Sequence, residues 1–240
     1  MMKKPGIGYE FNPGISYPAF LTRSRLLQAI AKYAPELTGR LMDFGCGSKP
    51  YRSLFEVREY IGIDYENPGH PHKNEQIDVF YDGKRIPFEN DTFDSIFSSE
   101  VFEHVFNLTE VLGELNRVLK PGGMILATCP FAICEHEIPN DFARYSSYGL
   151  RHLFEKHGFE VLQQGKTGNN VETVFQLWIM YIHQHINPYF RKIPVLRSAF
   201  RFFTYTSLNL LALFLNRILP DRRDLYLNNV ILCKKIRDIQ

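Results

Sequence analysis

The feature that most limits what this chain can fold into is the octet Arg40-Leu-Met-Asp-Phe-Gly-Cys-Gly47. A short apolar run carries an acid at Asp43 and empties into the turn Gly45-x-Gly47. Ser48 then stands where a helix N-cap would, and a helical run through Leu54 and Phe55 is expected. Strand, glycine turn and helix N-terminus are how an open α/β sheet brings backbone N–H groups to a ligand. Glycine suits the turn because a side chain would collide with a ligand against the main chain, and because φ can be positive there. The third glycine of the dinucleotide pattern is missing, since Pro50 stands three places after Gly47. A second apolar run, Tyr60 to Asp64, ends in an acid about twenty residues beyond the turn, where a ribose-binding carboxylate belongs. Asp43, Gly45, Gly47, Asp64 and Tyr65 are therefore candidate cofactor contacts.

With 240 residues the chain is long enough for one α/β domain and an elaboration. A net charge of +2 gives no polyanion-binding signal, so no nucleic-acid partner is expected. The four cysteines are scattered without a C-x-x-C pair and read as free thiols in a reducing compartment. The start is polar and rich in Gly and Pro, without an apolar leader, which points to a cytoplasmic protein.

Met1 to Tyr17 reads as an irregular arm, and Phe20 to Tyr33 as a helix with Leu26, Leu27 and Ile30 on one face. That helix either packs on the sheet edge or forms a lid over the cofactor. Residues 67–74 read as a loop. Its His70 and His72 have no third ligand in sequence, so no metal is expected. Ile77 to Asp82 and Asp91 to Ser99 read as the third and fourth strands, Thr109 to Leu119 as an amphipathic helix, and Met124 to Thr128 as the fifth strand.

Three runs then carry a resemblance. Asp82-Gly83-x-x-Ile86-Pro87-Phe88-x-x-Asp91-x-Phe93-Asp94, Ser99-Glu100-Val101-x-Glu103-His104-Val105 and Arg117-Val118-Leu119-Lys120-Pro121-Gly122-Gly123 follow the glycine turn in order. Together they resemble small-molecule class I S-adenosylmethionine-dependent methyltransferases of the type 11 kind, over about Leu41 to Phe131 and more loosely to Gln164. The resemblance implies a Rossmann-like, doubly wound, seven-stranded sheet with the last strand antiparallel, and S-adenosylmethionine as cofactor. It adds Asp82, Gly83 and Ser99 to the cofactor side, with Asp82 accepting from an adenine amino group. Ile86-Pro87-Phe88 is either an apolar wall for the adenine or a core plug, and the two readings are compatible.

Past Pro130, the run from Ile133 to Ser146 holds Glu135, His136, Asp141, Arg144 and Tyr145, dense polarity for a loop on the ligand edge of the sheet. Glu135, Asp141, Arg144 and Tyr145 are candidate acceptor contacts. His136 is the candidate base for a hydroxyl acceptor, with His104 the second candidate. A carbon or amine acceptor would need no base. Ser147 to His157 reads as a helix with Gly158 as its C-cap, and Phe159 to Gln164 as the sixth strand.

Before the final strand, Leu225 to Lys235, comes an insertion with two apolar helical runs, Val171 to Ile186 and Val195 to Leu219. Neither reaches the ~18–20 apolar residues of a spanning helix. The insertion is a cap over the acceptor pocket, a dimer face, or an interfacial pair reaching lipid, leaving the protein cytoplasmic or peripheral to a membrane. The expected division is an arm and helix over 1–39, a methyltransferase domain over 40–166 and 224–240, and a helical insertion over 167–223. The function expected is methyl transfer to a small or lipid-linked acceptor, most readily a sugar or isoprenoid-type hydroxyl. The alternatives are a nicotinamide-dependent oxidoreductase on the same sheet, disfavoured by the missing glycine, and a non-catalytic binding module.

Overall fold

The computed structural model describes residues 6–65 and 76–239, so His70 and His72 lie outside the described residues. Seven strands form one sheet in the order β3-β2-β1-β4-β5-β7-β6: β1 (Arg40–Phe44), β2 (Glu59–Tyr65), β3 (Val79–Tyr81), β4 (Phe93–Ser99), β5 (Leu119–Pro130), β6 (Phe159–Thr167) and β7 (Asn228–Lys235). Strands β1 to β5 pair in parallel, and the last strand is antiparallel, as the resemblance implies. Among the described residues five α-helices accompany it: α1 (Phe20–Tyr33), α2 (Leu108–Val118), α3 (Ser147–Lys156), α4 (Asn170–Tyr181) and α5 (Pro194–Ile218).

The core follows from the apolar periodicity. Met42 and Phe44 of β1, Ile96 of β4 and Ile125 and Ala127 of β5 are buried with Val111, Leu112, Leu115 and Val118 from one face of α2. The Ser146 hydroxyl caps α3 by accepting from the Gly149 amide at 3.2 Å. Gly158, at φ +79°, closes α3 and lies so tight that an added Cβ would come within 2.5 Å of the Arg237 carbonyl.

One expected helix is absent. After Gly47 the chain makes only a single 3-10 turn, Arg52–Leu54, before β2. Pro50 disfavours helical backbone at the residue before it, and Lys49 sits at φ +53° in the left-handed region. The anchoring is done instead by Phe55 and Tyr51, both packed on Phe97. The insertion also differs in detail. The first run is helical to Tyr181 and continues as a π turn, Ile182–Ile186, and a 3-10 turn, Asn187–Phe190.

The chain divides into two compact units. One comprises Ile30–Pro130, His136–Gly165 and Asn229–Gln240 and carries most of the sheet with α2 and α3. The other comprises Met1–Ala29, Phe131–Glu135 and Lys166–Asn228, so the N-terminal segment groups with the inserted helices. Within it Arg25 pairs with the buried Glu172. The Gln176 amide donates to the Pro18 carbonyl at 2.7 Å, and the Asn209 amide to the Ile15 carbonyl at 2.7 Å. Phe20 and Leu21 pack with Ala212 and Leu227.

Candidate cofactor and acceptor site

Parallel pairing brings the carboxyl ends of β1 to β4 to one edge, which is where an open α/β sheet receives its ligand. Phe44 lies beside Ile63, and Asp64 beside Phe80. Gly45 follows β1 at φ +74°, and its position allows no side chain, because a Cβ would fall 2.3 Å from Val101 Cγ2. The turn's amides are not bare, contrary to expectation. Gly45 and Cys46 both donate to the Ile63 carbonyl, at 2.9 and 3.1 Å, and Gly47 donates to Asp64 Oδ2 at 2.8 Å. The second Asp64 oxygen accepts from the Tyr65 amide at 2.8 Å. Turn and acid are thus one hydrogen-bonded unit.

Asp43 is buried within it. Its Oδ2 accepts from the Tyr60 hydroxyl at 2.5 Å. Burial pushes its carboxyl up to about 7, against the pull of that hydrogen bond, with the Asp64 charge adding to the rise. Beside it the Cys46 thiol is pushed far up by burial, which makes it an inert packing group. Lys49 and Asp78, to which sequence reading assigns no role, cross the same turn. Lys49 Nζ pairs with Asp78 Oδ2 at 2.6 Å, and the same oxygen accepts from the Gly62 amide at 2.6 Å. Gly62 makes room for this, since a Cβ there would meet Lys49 Cε at 2.3 Å.

Further along the edge Asp82 Oδ1 accepts from the amides of Lys84 and Arg85, at 2.9 and 3.1 Å, which holds its carboxyl below the usual range. A Cβ on Gly83, at φ +79°, would meet the Tyr65 ring at 2.8 Å, and the Tyr65 side chain is exposed. The Ser99 and Thr128 hydroxyls bond at 2.9 Å, and Thr128 donates to Glu100 Oε1 at 2.9 Å. These groups are chemically compatible with S-adenosylmethionine: hydrogen-bond-accepting carboxylates at Asp64 and Asp82, and a part-exposed ring at Tyr65. Ile86-Pro87-Phe88 does not extend this row. Ile86 is buried, and Phe88 lies edge-on to Phe93 at 4.9 Å near the Arg40 guanidinium, at the opposite end of β1 and β4. It is the core plug of the two readings. Arg117 fastens it by donating to the Phe88 and Ile86 carbonyls at 2.7 and 2.9 Å.

A second group of side chains forms where the segment after Glu135 folds back on the turn that follows β4. The Phe142 and Ala143 amides donate to the Glu103 carbonyl, at 2.8 and 3.2 Å. His104 Nδ1 lies 2.7 Å from the Asn140 carbonyl. A carbonyl only accepts, so that imidazole carries a proton on Nδ1. His136 is held by its amide, which donates to Asp141 Oδ2 at 3.0 Å, and by its Nδ1, 3.4 Å from the same oxygen. Arg144 clamps Asp141 with two bonds at 2.5 and 2.6 Å, and this holds the Asp141 carboxyl at about 2.

Both imidazoles turn Nε2 toward one carboxylate. Glu103 Oε1 is 3.6 Å from His104 Nε2 and 3.9 Å from His136 Nε2. The Glu103 side chain is 0% exposed, and among the described residues neither of its oxygens finds a hydrogen-bond partner outside its own residue. Burial raises its carboxyl well above the ordinary range, with the Glu100 charge adding to the effect. His104 and His136 are therefore brought together as candidates, and Glu103 joins them. Of the expected acceptor contacts, Asp141 and Arg144 are spent on each other and on His136. Tyr145 is half-buried against the core, and its carbonyl accepts from Asn229 at 2.7 Å. Glu135 is exposed and belongs to the other compact unit.

A family model described as a methyltransferase domain matches residues 20–164. Among curated proteins, the chain is similar to sterol 24-C-methyltransferase of Schizosaccharomyces pombe, 28% identical over 155 residues, 56% of this chain and 39% of that protein. It is also similar to demethylmenaquinone methyltransferase of Staphylococcus saprophyticus, 32% identical over 99 residues, 36% of this chain and 42% of that protein. The matched stretches thus span less than half of either relative. Among solved structures, a chain from the Haloferax volcanii complex of the Trm112 methyltransferase activator with a methyltransferase superposes with a TM-score of 0.55 at 18% identity, covering 99% of this chain and 100% of that one. That likeness is one of fold. The family match runs over more than half of the chain, on the sheet order described above, and the protein belongs to the class I S-adenosylmethionine-dependent methyltransferases.

Proposed function

We propose that the protein transfers a methyl group from S-adenosylmethionine to a hydroxyl of a small or lipid-linked acceptor, and that the acceptor loses its proton at the Glu103–His104–His136 cluster. The observation that carries this reading is the convergence of two imidazole Nε2 atoms on a fully buried carboxylate. S-adenosylmethionine supplies an electrophilic methyl on a sulfonium. On the protein side, Asp64 holds the ribose hydroxyls, Asp82 accepts from the adenine amino group and Tyr65 covers the purine face. Asp43, Gly45, Gly47, Gly83 and Ser99 shape the edge against which the cofactor lies. Holding the acceptor oxygen in line with the methyl at near-attack distance provides much of the rate. Transfer of the proton to His136 provides a further 10²–10⁴-fold, roughly. Asp141 and Arg144 are positioning residues, which fix the His136 ring.

Two observations support a lipid-class acceptor. The curated relatives are named for sterol and demethylmenaquinone methylation. The inserted helices also leave apolar stripes exposed: Leu196, Phe203, Leu210, Phe214 and Ile218 on α5, and Val174, Trp178 and Tyr181 on α4. Arg191, Lys192 and Arg217 are exposed in the same segment. This is the composition of an element that rests on an anionic lipid surface. Among the described residues no helix is long and apolar enough to cross a membrane.

The test is transfer of labelled methyl from S-adenosylmethionine to a panel of isoprenoid, quinol and sugar hydroxyls, with identification of the methylated atom. An O-methyl product supports the reading. Label found only on carbon or nitrogen, as the sterol 24-C relative's name states for that enzyme, overturns the hydroxyl assignment.

A further inference from the structure

We propose that Glu103, His104 and His136 form a binding site for one divalent transition-metal ion, of the zinc, cobalt or manganese class. One ligand atom from each residue lies within 4.8 Å of the other two: Glu103 Oε1 and the two imidazole nitrogens. Ligands at 2.0–2.2 Å from one tetrahedral ion stand about 3–3.5 Å apart. The separations of 3.6 and 3.9 Å from Glu103 Oε1, and of up to 4.8 Å within the set, require the rings to move inward by as much as about 1–2 Å.

Three features distinguish this group from a chance meeting of polar side chains. Glu103 is fully buried with no hydrogen bond to either oxygen from another described residue, and it is aimed at the two Nε2 atoms. A carboxylate buried in that way holds its charge only with a cation beside it. Next, each imidazole is oriented through its other nitrogen. His104 Nδ1 is fixed by the Asn140 carbonyl, and His136 Nδ1 faces Asp141, which Arg144 clamps. Metal-ligating histidines are held in this way by carbonyls and carboxylates behind them. Finally, the surroundings are rich in carboxylates: Glu100, Glu137 and Asp141 face the cluster together with the Arg144 guanidinium.

Two imidazoles and one carboxylate form a set that favours zinc and its neighbours over magnesium or calcium, which prefer all-oxygen shells. Three protein ligands leave a position open for an acceptor oxygen. The consequence for catalysis rests on the hydroxyl reading above. A bound ion would make an acceptor hydroxyl on it more acidic, and Glu137, whose Oε2 is 3.7 Å from His104 Nε2, stands on the exposed side of the cluster. In the loaded enzyme His136 is a ligand, and without the ion it is the base.

The experiment uses the untagged full chain, stripped with a chelator and titrated with Co2+ while its visible absorption is followed. The expected result is one Co2+ per chain, ligand-field bands in the visible, displacement by Zn2+ and none by Mg2+. Glu103→Gln, His104→Gln and His136→Gln should each weaken binding by about tenfold or more, and Asp141→Asn by about tenfold through the His136 ring that Asp141 faces. S-adenosylmethionine affinity and the thermal midpoint of the metal-free variants serve as controls for folding. Absence of bands and of retained metal overturns the site, and so does Co2+ binding unchanged in all three folded ligand variants. Failure of metal binding with methyl transfer still lost in His136→Gln leaves the base reading standing. Metal binding without any O-methyl product removes the hydroxyl reading and leaves the site.

Discussion

The Gly47 amide donates to Asp64 Oδ2 at 2.8 Å, so the turn after β1 and the acid that ends β2 are joined by the protein's own hydrogen bond. Asp64→Ala should weaken S-adenosylmethionine binding by roughly 1.5–3 kcal/mol, the range for hydrogen bonds to a charged group. It should also loosen the turn. Calorimetric titration reads the first effect and amide exchange at Gly47 the second. An unchanged affinity would remove Asp64 from the ribose role.

Asp43 gives the stability a pH dependence of known sign. Its carboxyl is raised from 3.8 to about 7 in the folded chain. Between those values the folded state keeps a proton that the unfolded chain has released, so this group's contribution falls as pH rises and levels off above about 7. Asp43→Asn keeps an acceptor for the Tyr60 hydroxyl without the buried charge. Its thermal midpoint relative to wild type should therefore be higher at pH 8 than at pH 5. Parallel curves for the two proteins would refute the assignment.

Gly45→Ala combines two penalties, a left-handed φ of +74° and a Cβ 2.3 Å from Val101 Cγ2. Chemical denaturation should show a loss of at least about 1–2 kcal/mol from the backbone alone, with the overlap adding to it. Pairing it with Val101→Ala should recover the overlap and leave the backbone cost. Additive effects in that double-mutant cycle would mean the two residues do not touch.

The exposed stripes make a prediction about surfaces. Phe203→Ser with Phe214→Ser should reduce co-sedimentation with vesicles of anionic phospholipid, and raised salt should reduce it further through the basic residues. The wild type failing to sediment with such vesicles would end the lipid-surface reading.

Much of the scaffold is readable from local pattern. α1 runs over Phe20–Tyr33 as its apolar face predicts, and β1 and β4 lie where the acid-bearing apolar runs stand. These elements follow from periodicity, which is a property of neighbours in sequence. The misreadings share a different cause. The helix expected after Gly47 fails because Pro50 and the left-handed Lys49 act on the backbone, against an otherwise helical composition. Phe88 was open to two readings because a motif fixes spacing and not which end of a strand a side chain reaches. Glu103 stands in a recognisable motif, yet nothing local says that it is sealed. The Phe142 and Ala143 amides, some forty residues on, donate to its backbone carbonyl, a contact that no local pattern announces. Lys49 and Asp78 escaped notice in the same way, as partners 29 positions apart.

The bonds from Ile15 and Pro18 to Asn209 and Gln176 carry a consequence for synthesis on the ribosome. The Ile15 carbonyl waits for a donor 194 positions downstream, and the Pro18 carbonyl for one 158 positions downstream. Residues 15–18 thus wait for partners made well after them, and loop closure over such spans is slow. Nascent chains stalled before residue 209 should leave residues 15–18 open to proteolysis and to chaperones, and chains extended past it should protect them.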